Sequence, residues 1–372
     1  MRHENLVIEI GGAEDETFYD DLISLEVELD DQLTGMFRMT IAVVLQPDGT
    51  WTYLDDERFT LWQPVTVSAG LDDDMSQLIS GFITRVRPEF GIGLEQCHLE
   101  VWGMDASVLM DRADRLQSWP DKRDSDIATD IFSAYGLTPE VTDTTVIHDE
   151  QVSTIIQRET DMQFLKRLAL RNGFEVYVDG DTGFFGPPGL DAEPQPVASV
   201  QFGDDTTITN FRIEADALAA ADVVMWQIDH MSGEVLEAGV EATEQPVLGA
   251  SLSSSFLGDG QPVAQVVVAQ TVATGVPEMV ALCQGLFDRG QWFVTAEGDI
   301  AANDYGTVLK PRATLTLKGI GETHSGVYYV THVTHHFMND GYQQHFKAKR
   351  NALLPTGEES FDDDGDLLGG LL

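Results

Sequence analysis

Two series between residues 23 and 45 place apolar side chains on every second position. Ile23, Leu25, Val27 and Leu29 alternate with Ser24, Glu26 and Glu28, and Phe37, Met39, Ile41, Val43 and Leu45 repeat the pattern. A period of two puts one face of an extended chain in a core and the other in water, so these residues read as half-buried strands. Residues 59–67 and 79–86 and the series Cys97, Leu99, Val101 continue the alternation, with Asp48-Gly49 and residues 72–74 as turns. Residues 1–110 are therefore expected to form an antiparallel barrel or sandwich.

The alternation returns near residue 200. Val223, Val224, Trp226 and Ile228 mark one strand; Leu315, Leu317, Tyr328, Tyr329 and Val333 mark two more around a glycine-rich turn, and Asp340-Gly341 reads as a tight hairpin. Helical spacing appears in two places between these β regions. In residues 111–198, Ser125 is expected to cap a helix carrying Ile127, Ile131 and Phe132 and ending at Gly136. A second helix starts at Thr160, with Gln163 completing a capping box. It buries Phe164, Leu165, Leu168 and Ala169 on one face and closes at Asn172-Gly173, after which a strand begins. The Pro/Gly-rich stretch 186–196 reads as a linker. Residues 249–290 form an inserted segment with a Ser-rich turn, a strand over 263–269 and a helix from about Pro277 to Gly290.

The charge restricts partners. The 372 residues carry 63 acidic and 21 basic side chains, a net of -42, with only six lysines. On a monomer surface of roughly 15,000 Å² that is about one excess negative charge per 350 Å², spaced beyond a physiological Debye length. Repulsion is tolerable within one chain and mounts when copies assemble, and nucleic acid is a poor partner for this surface. An acidic, lysine-poor chain with 42% apolar residues is expected of a salt-loving source; an ordinary acidic, solvated surface is the other reading. No apolar run is long enough to span a membrane, and the opening MRHENLVIEI lacks the layout of a signal peptide, so assembly in the cytoplasm is expected. Cys97 and Cys283 have no metal or redox spacing and are expected as buried thiols.

The segment IIQRETDMQFLKRLALRNGFEVYV, with Gln157, Arg158, Glu159, Thr160, Asp161, Phe164, Leu165, Arg167, Leu168 and Gly173, resembles the signature of the phage baseplate hub family. That family includes the late control D proteins and the amino-terminal hub part of VgrG spike proteins. Two further pieces resemble it in the same order. Gly81 to Val86 and Trp102-Gly103-Met104-Asp105 with Leu109 match its early strands; the run LTLKGIGETHSGVYYVTHVTHHFMNDGYQQHFKAKR matches its closing strands. The resemblance implies a mainly β fold with α+β insertions: two similar antiparallel β-barrels, at 1–110 and at 199–248 with 291–350, plus a small α/β domain at 111–198. It also implies a homotrimeric ring adapting a six-fold inner tube to a three-fold spike, in a phage tail or an injection system. The partners it implies are an inner tube protein, a spike protein and other baseplate proteins. Because the chain stops at 372, the spike is expected on a separate polypeptide.

No residue set reads as catalytic, cofactor-binding or metal-binding. His332, His335, His336 and His345 cluster in sequence, but in a strand His332 and His336 share one face while His335 faces the other. The acidic run 362–366 lacks calcium-loop spacing, since Leu371 stands where the closing Glu belongs. Gly249-Ala250-Ser251 lacks the second glycine of a nucleophile elbow. The acidic tail 351–372, with its pairs Leu367-Leu368 and Leu371-Leu372, is expected either to dock a neighbour or to stay solvated. A β-barrel carbohydrate-active enzyme and a surface adhesin are the alternative functions; the first needs convergent carboxylates and the second a signal peptide.

Overall fold

The computed structural model describes residues 4–361 apart from 15, 73, 94–95, 152–153, 219–221, 230, 257–263, 270–272 and 340. Val263 of the expected strand, Asp340 of the expected hairpin, the acidic run 362–366 and the two leucine pairs lie outside the described residues.

The first third contains β1 (Glu4–Ile10), β2 (Ala13–Glu14), β3 (Leu22–Asp30), β4 (Met36–Ala42), β5 (Pro64–Leu71), β6 (Asp74–Glu89) and β7 (His98–Asp105). The middle contains β8 (Gln117–Trp119), α1 (Asp124–Ala134), β9 (Thr138–Val141), β10 (Ile155–Gln157), α2 (Asp161–Asn172), β11 (Glu175–Asp179) and β12 (Thr182–Gly186). Next come β13 (Gln195–Ser199), β14 (Ile208–Ala215), β15 (Asp222–Ile228), β16 (Val235–Val240), β17 (Gln265–Val268) and α3 (Val276–Gly290). The last part holds β18 (Val294–Ala301), α4 (Ala302–Tyr305), β19 (Ala313–Lys318), β20 (Gly326–Met338) and β21 (Gly341–Arg350). The fold is mainly β with a few helices, as the alternation requires.

The expectation of two closed barrels needs correction. One 13-stranded sheet runs β14-β18-β21-β20-β3-β4-β7-β6-β5-β1-β2, with β19 attached to β20 and β13 to β19; among the described residues no full ladder closes either half, and a single parallel bridge, Val200↔Ile208, brings the end of β13 back to β14. The physical reason is β20, which is long enough to serve both halves. One of its edges pairs first with β19 (Leu315↔Tyr328) and then with β3 (Val333↔Leu29, Phe337↔Leu25), while its other edge takes β21. The ladder shifts register between Val330 and His332, where one half gives way to the other. Each half still buries its own core. Ile8, Val27, Phe37, Ile83 and Val101 lie in one, and Leu315, Tyr328, Val333 and Phe346 in the other. The start of β1, laddered to β5 on one edge, is tied to the second half by a side chain, the Tyr342 N–H donating to Glu4 Oε2 at 3.0 Å.

Helices α1 and α2 pack Ile127, Phe132, Phe164, Leu165 and Leu168 against Val176 and Phe185 in a third core. Thr160 caps α2 by accepting from the Gln163 N–H at 3.3 Å, and its own hydroxyl donates to Asp111. The expected cap at Ser125 sits two residues too far in. The helix begins at Asp124 because Asp126 accepts from the Arg123 N–H, which leaves the Ser125 hydroxyl to accept from the Thr144 N–H at 3.1 Å.

Strands β15 and β16 do not join the long sheet. They pair with β17 in a separate three-stranded sheet whose inner face, Val223 and Met225, packs on Met279, Cys283 and Phe287 of α3. Residues 222–240 thus stand with the inserted segment and not with the barrel expected over 199–248; sequential pairing of β15 with β16 and the apolar stripe of α3 explain it. Helix α3 docks on the end of α2 at a glycine contact: a Cβ on Gly285 would lie 2.6 Å from the Gly173 backbone nitrogen.

Candidate functional site

The signature segment before α2 is a hydrogen-bonded scaffold. Gln157, fully buried, accepts from Trp119 Nε1 at 3.2 Å and donates to Asp161 Oδ1 at 2.7 Å. Asp161 also accepts from the Tyr135 hydroxyl at 2.7 Å and pairs with Arg115 at 2.7 Å, while Glu159 pairs with Arg167 at 2.7 Å. Polar groups this deep are costly unless satisfied, and here they are satisfied by one another. In the earlier resembling piece, a Cβ on Gly103 would meet the Phe37 ring at 2.1 Å. Asp105 accepts from the Gly35 N–H at 2.6 Å and the Ser107 N–H at 2.8 Å.

Behind α2 lies a buried ionic group that the sequence did not announce. His148 Nε2 is 2.9 Å from Asp124 Oδ1, and its Nδ1 is 3.6 Å from Glu278 of α3. Arg171 pairs with Glu278 and lies 3.6 Å from Asp124, and Asn172 donates to Asp124 at 2.7 Å. Burial alone would lift the Asp124 carboxyl, but the His148 hydrogen bond and the Arg171 charge hold it below the usual carboxylate range. The group fastens α3 to the middle unit.

Where α2, β11, α3 and the two halves of the long sheet meet there is a cavity of about 450 Å³, lined in part by Asp31, Phe174, Glu175, Gln245, Trp292 and Lys349. Glu175 accepts from the Tyr329 hydroxyl at 2.6 Å, and burial pushes its carboxyl up to about 7. Lys349 lies 4.8 Å from the centroid of Trp292 and pairs with Asp31 at 3.0 Å. The arrangement holds a proton near neutrality and a screened cation, but the neighbouring groups are engaged with each other.

The histidines each have a separate partner. His332 lies 3.1 Å from Asp30, His336 3.3 Å from Glu26, and His345 2.7 Å from Asp299. His335 points into the core against the Tyr342 hydroxyl at 2.8 Å, and burial holds its imidazolium down to about 3. Among the described residues no three His, Cys, Asp or Glu side chains converge on one point. Ser251 forms a β-bridge with Leu353. Cys97 and Cys283 are free, buried thiols in different cores. No helix among the described residues is long and apolar enough to cross a membrane.

The fold is similar to that of the 43 kDa tail protein of prophage MuSo2 from Shewanella oneidensis, at 13% identity over 94% of this chain and 100% of that one, with a TM-score of 0.66. A tail protein from Neisseria meningitidis MC58 matches at 14% identity, 94% and 98% coverage and a TM-score of 0.64. An E. coli component of the type VI secretion system, described as similar to the T4 bacteriophage tail proteins gp27 and gp5, matches at 11% identity, 94% and 79% coverage and a TM-score of 0.53. No curated protein matches the sequence. The model of one family covers residues 38–339, and the chain belongs to that family, the Alg8 N-terminal domain.

Proposed function

We propose that the chain is a structural baseplate hub of a contractile phage tail or injection system. In this reading it forms a homotrimeric ring that joins a six-fold inner tube to a three-fold spike, without an enzymatic step. The observation that carries it is the double character of the long sheet: two cores lie on either side of the register shift in β20, and in this reading they are the two similar units that each chain supplies. Three such chains present six units, which is what a three-fold body needs to seat a six-fold ring. The likeness of the fold to tail proteins supports the same reading.

The test is co-assembly with the inner tube protein of the same particle, followed by electron microscopy of the product. The hub reading expects a trimer with six tube subunits on one face. A hub chain that stays single beside assembled tube overturns it.

A further inference from the structure

Three strands of the first half carry an arginine–tryptophan array on their outer face. Trp102 of β7 has Arg38 of β4 and Arg85 of β6 as its cross-strand neighbours, with the two guanidinium carbons 5.2 and 5.7 Å from its ring centroid. On the same face Met104 pairs with Phe82, whose ring lies 6.4 Å from Trp62, and Arg112 stacks on Trp62 at 4.5 Å. A β-bulge makes the array possible. The register of β6 shifts between Ile83 and Arg85, which turns Arg85 to the face of Phe82 where a regular strand would place Thr84.

The exposure and the charge both point outward. Trp62 is 41% exposed and Met104 36%. Arg38 is paired with Glu26 at 3.1 Å, but Arg85 and Arg112 make no ion pair among the described residues and lie against ring faces alone. Tryptophan and arginine are the residues most enriched at binding hot spots, and a stacked guanidinium keeps its edge free for a carboxylate. In a chain with 63 acidic and 21 basic residues, unpaired arginines on an aromatic bed fit an acidic surface.

We propose that this array is the contact through which one copy of the chain holds the acidic surface of the next; the proposal rests on the trimeric hub reading and names its interface. The charge pattern also selects the symmetry. Two copies related by a two-fold axis through the array would set arginine against arginine. The array must therefore meet a different, acidic patch on its neighbour, a heterologous contact that closes into a ring. Net repulsion between copies acts over a Debye length and is removed by salt, while ion pairs buried within the contact are screened much less.

The test is sedimentation equilibrium of the full chain in 2 M NaCl. The wild type is compared with Arg85→Glu/Arg112→Glu, with Trp62→Ala, and with a charge-matched pair elsewhere, Arg158→Glu/Lys310→Glu. The array pair is expected to need a roughly hundredfold higher concentration for half-assembly, as loss of hot-spot contacts does. Trp62→Ala should weaken assembly in the same direction, the charge-matched pair should assemble as the wild type does, and all variants should melt normally. Assembly of the array pair at wild-type concentration, or equal loss in the charge-matched pair, overturns the array while leaving the trimer intact. A wild-type chain that never associates overturns the trimer itself and the array with it.

Discussion

The Tyr329 hydroxyl lies 2.6 Å from Glu175 Oε2, joining the strand shared by both halves of the long sheet to the first strand after α2. Burial pushes the Glu175 carboxyl up from an ordinary 4.5 to about 7. Below pH 4.5 the group is protonated folded and unfolded alike. As pH rises from there to 7 the unfolded chain gives up its proton first, so stability falls through this window, by about 3 kcal/mol at most. Glu175→Gln should remove that fall. Denaturant melts of wild type and variant at pH 5 and pH 8 are expected to differ mainly at pH 8, with the variant the more stable there; an unchanged difference across the window counts against the buried-acid account.

Leu165 and Leu168 are both fully buried in the core between α1, α2 and β11. Leu165→Ala should lose about 2–5 kcal/mol with no surface change, because a cavity is left beside Phe164 and Leu168. Thermal denaturation reads it. A variant as stable as the wild type would mean that α2 presents this face to a partner.

Arg171 neutralises two carboxylates, Asp124 and Glu278, that are only 5% and 7% exposed. Arg171→Met leaves them without that cation, which typically costs about 3–5 kcal/mol. Adding Glu278→Gln to the same chain should recover part of the loss. The two melting curves together check the pairing, and no recovery would mean that Arg171 acts through packing alone.

The strands were legible because period two is local: Val27, Phe37, Met39 and Ile41 alternate with wet positions and are buried as that alternation demands. Helix α2 was legible for the same reason, its cap at Thr160 and its left-handed stop at Gly173 being written in adjacent residues. What could not be read was pairing at a distance. Nothing near His332 says that β20 continues from β19 onto β3, so two barrels were expected where one sheet runs on. Arg38, Arg85 and Trp102 come together only through cross-strand register and a bulge, and Glu278 reaches His148 only because α3 docks on α2. The charge was legible as a sum, but its arrangement was not.

The excess of negative charge makes salt a lever. If it is a halophilic adaptation, the melting temperature should rise between roughly 0.1 M and 2 M NaCl, where the Debye length drops from about 10 Å to a few ångströms. A differential scanning experiment across that range checks it. Equal melting at both ends leaves the acidity as a solvated surface with no role in salt tolerance.

The claim that this chain is a ring-forming hub is tested most directly by its mass in solution. Sedimentation equilibrium of the wild-type protein in 2 M NaCl, over a wide concentration range, should converge on the mass of three 40.9 kDa chains. A single-chain mass at every concentration would contradict the account.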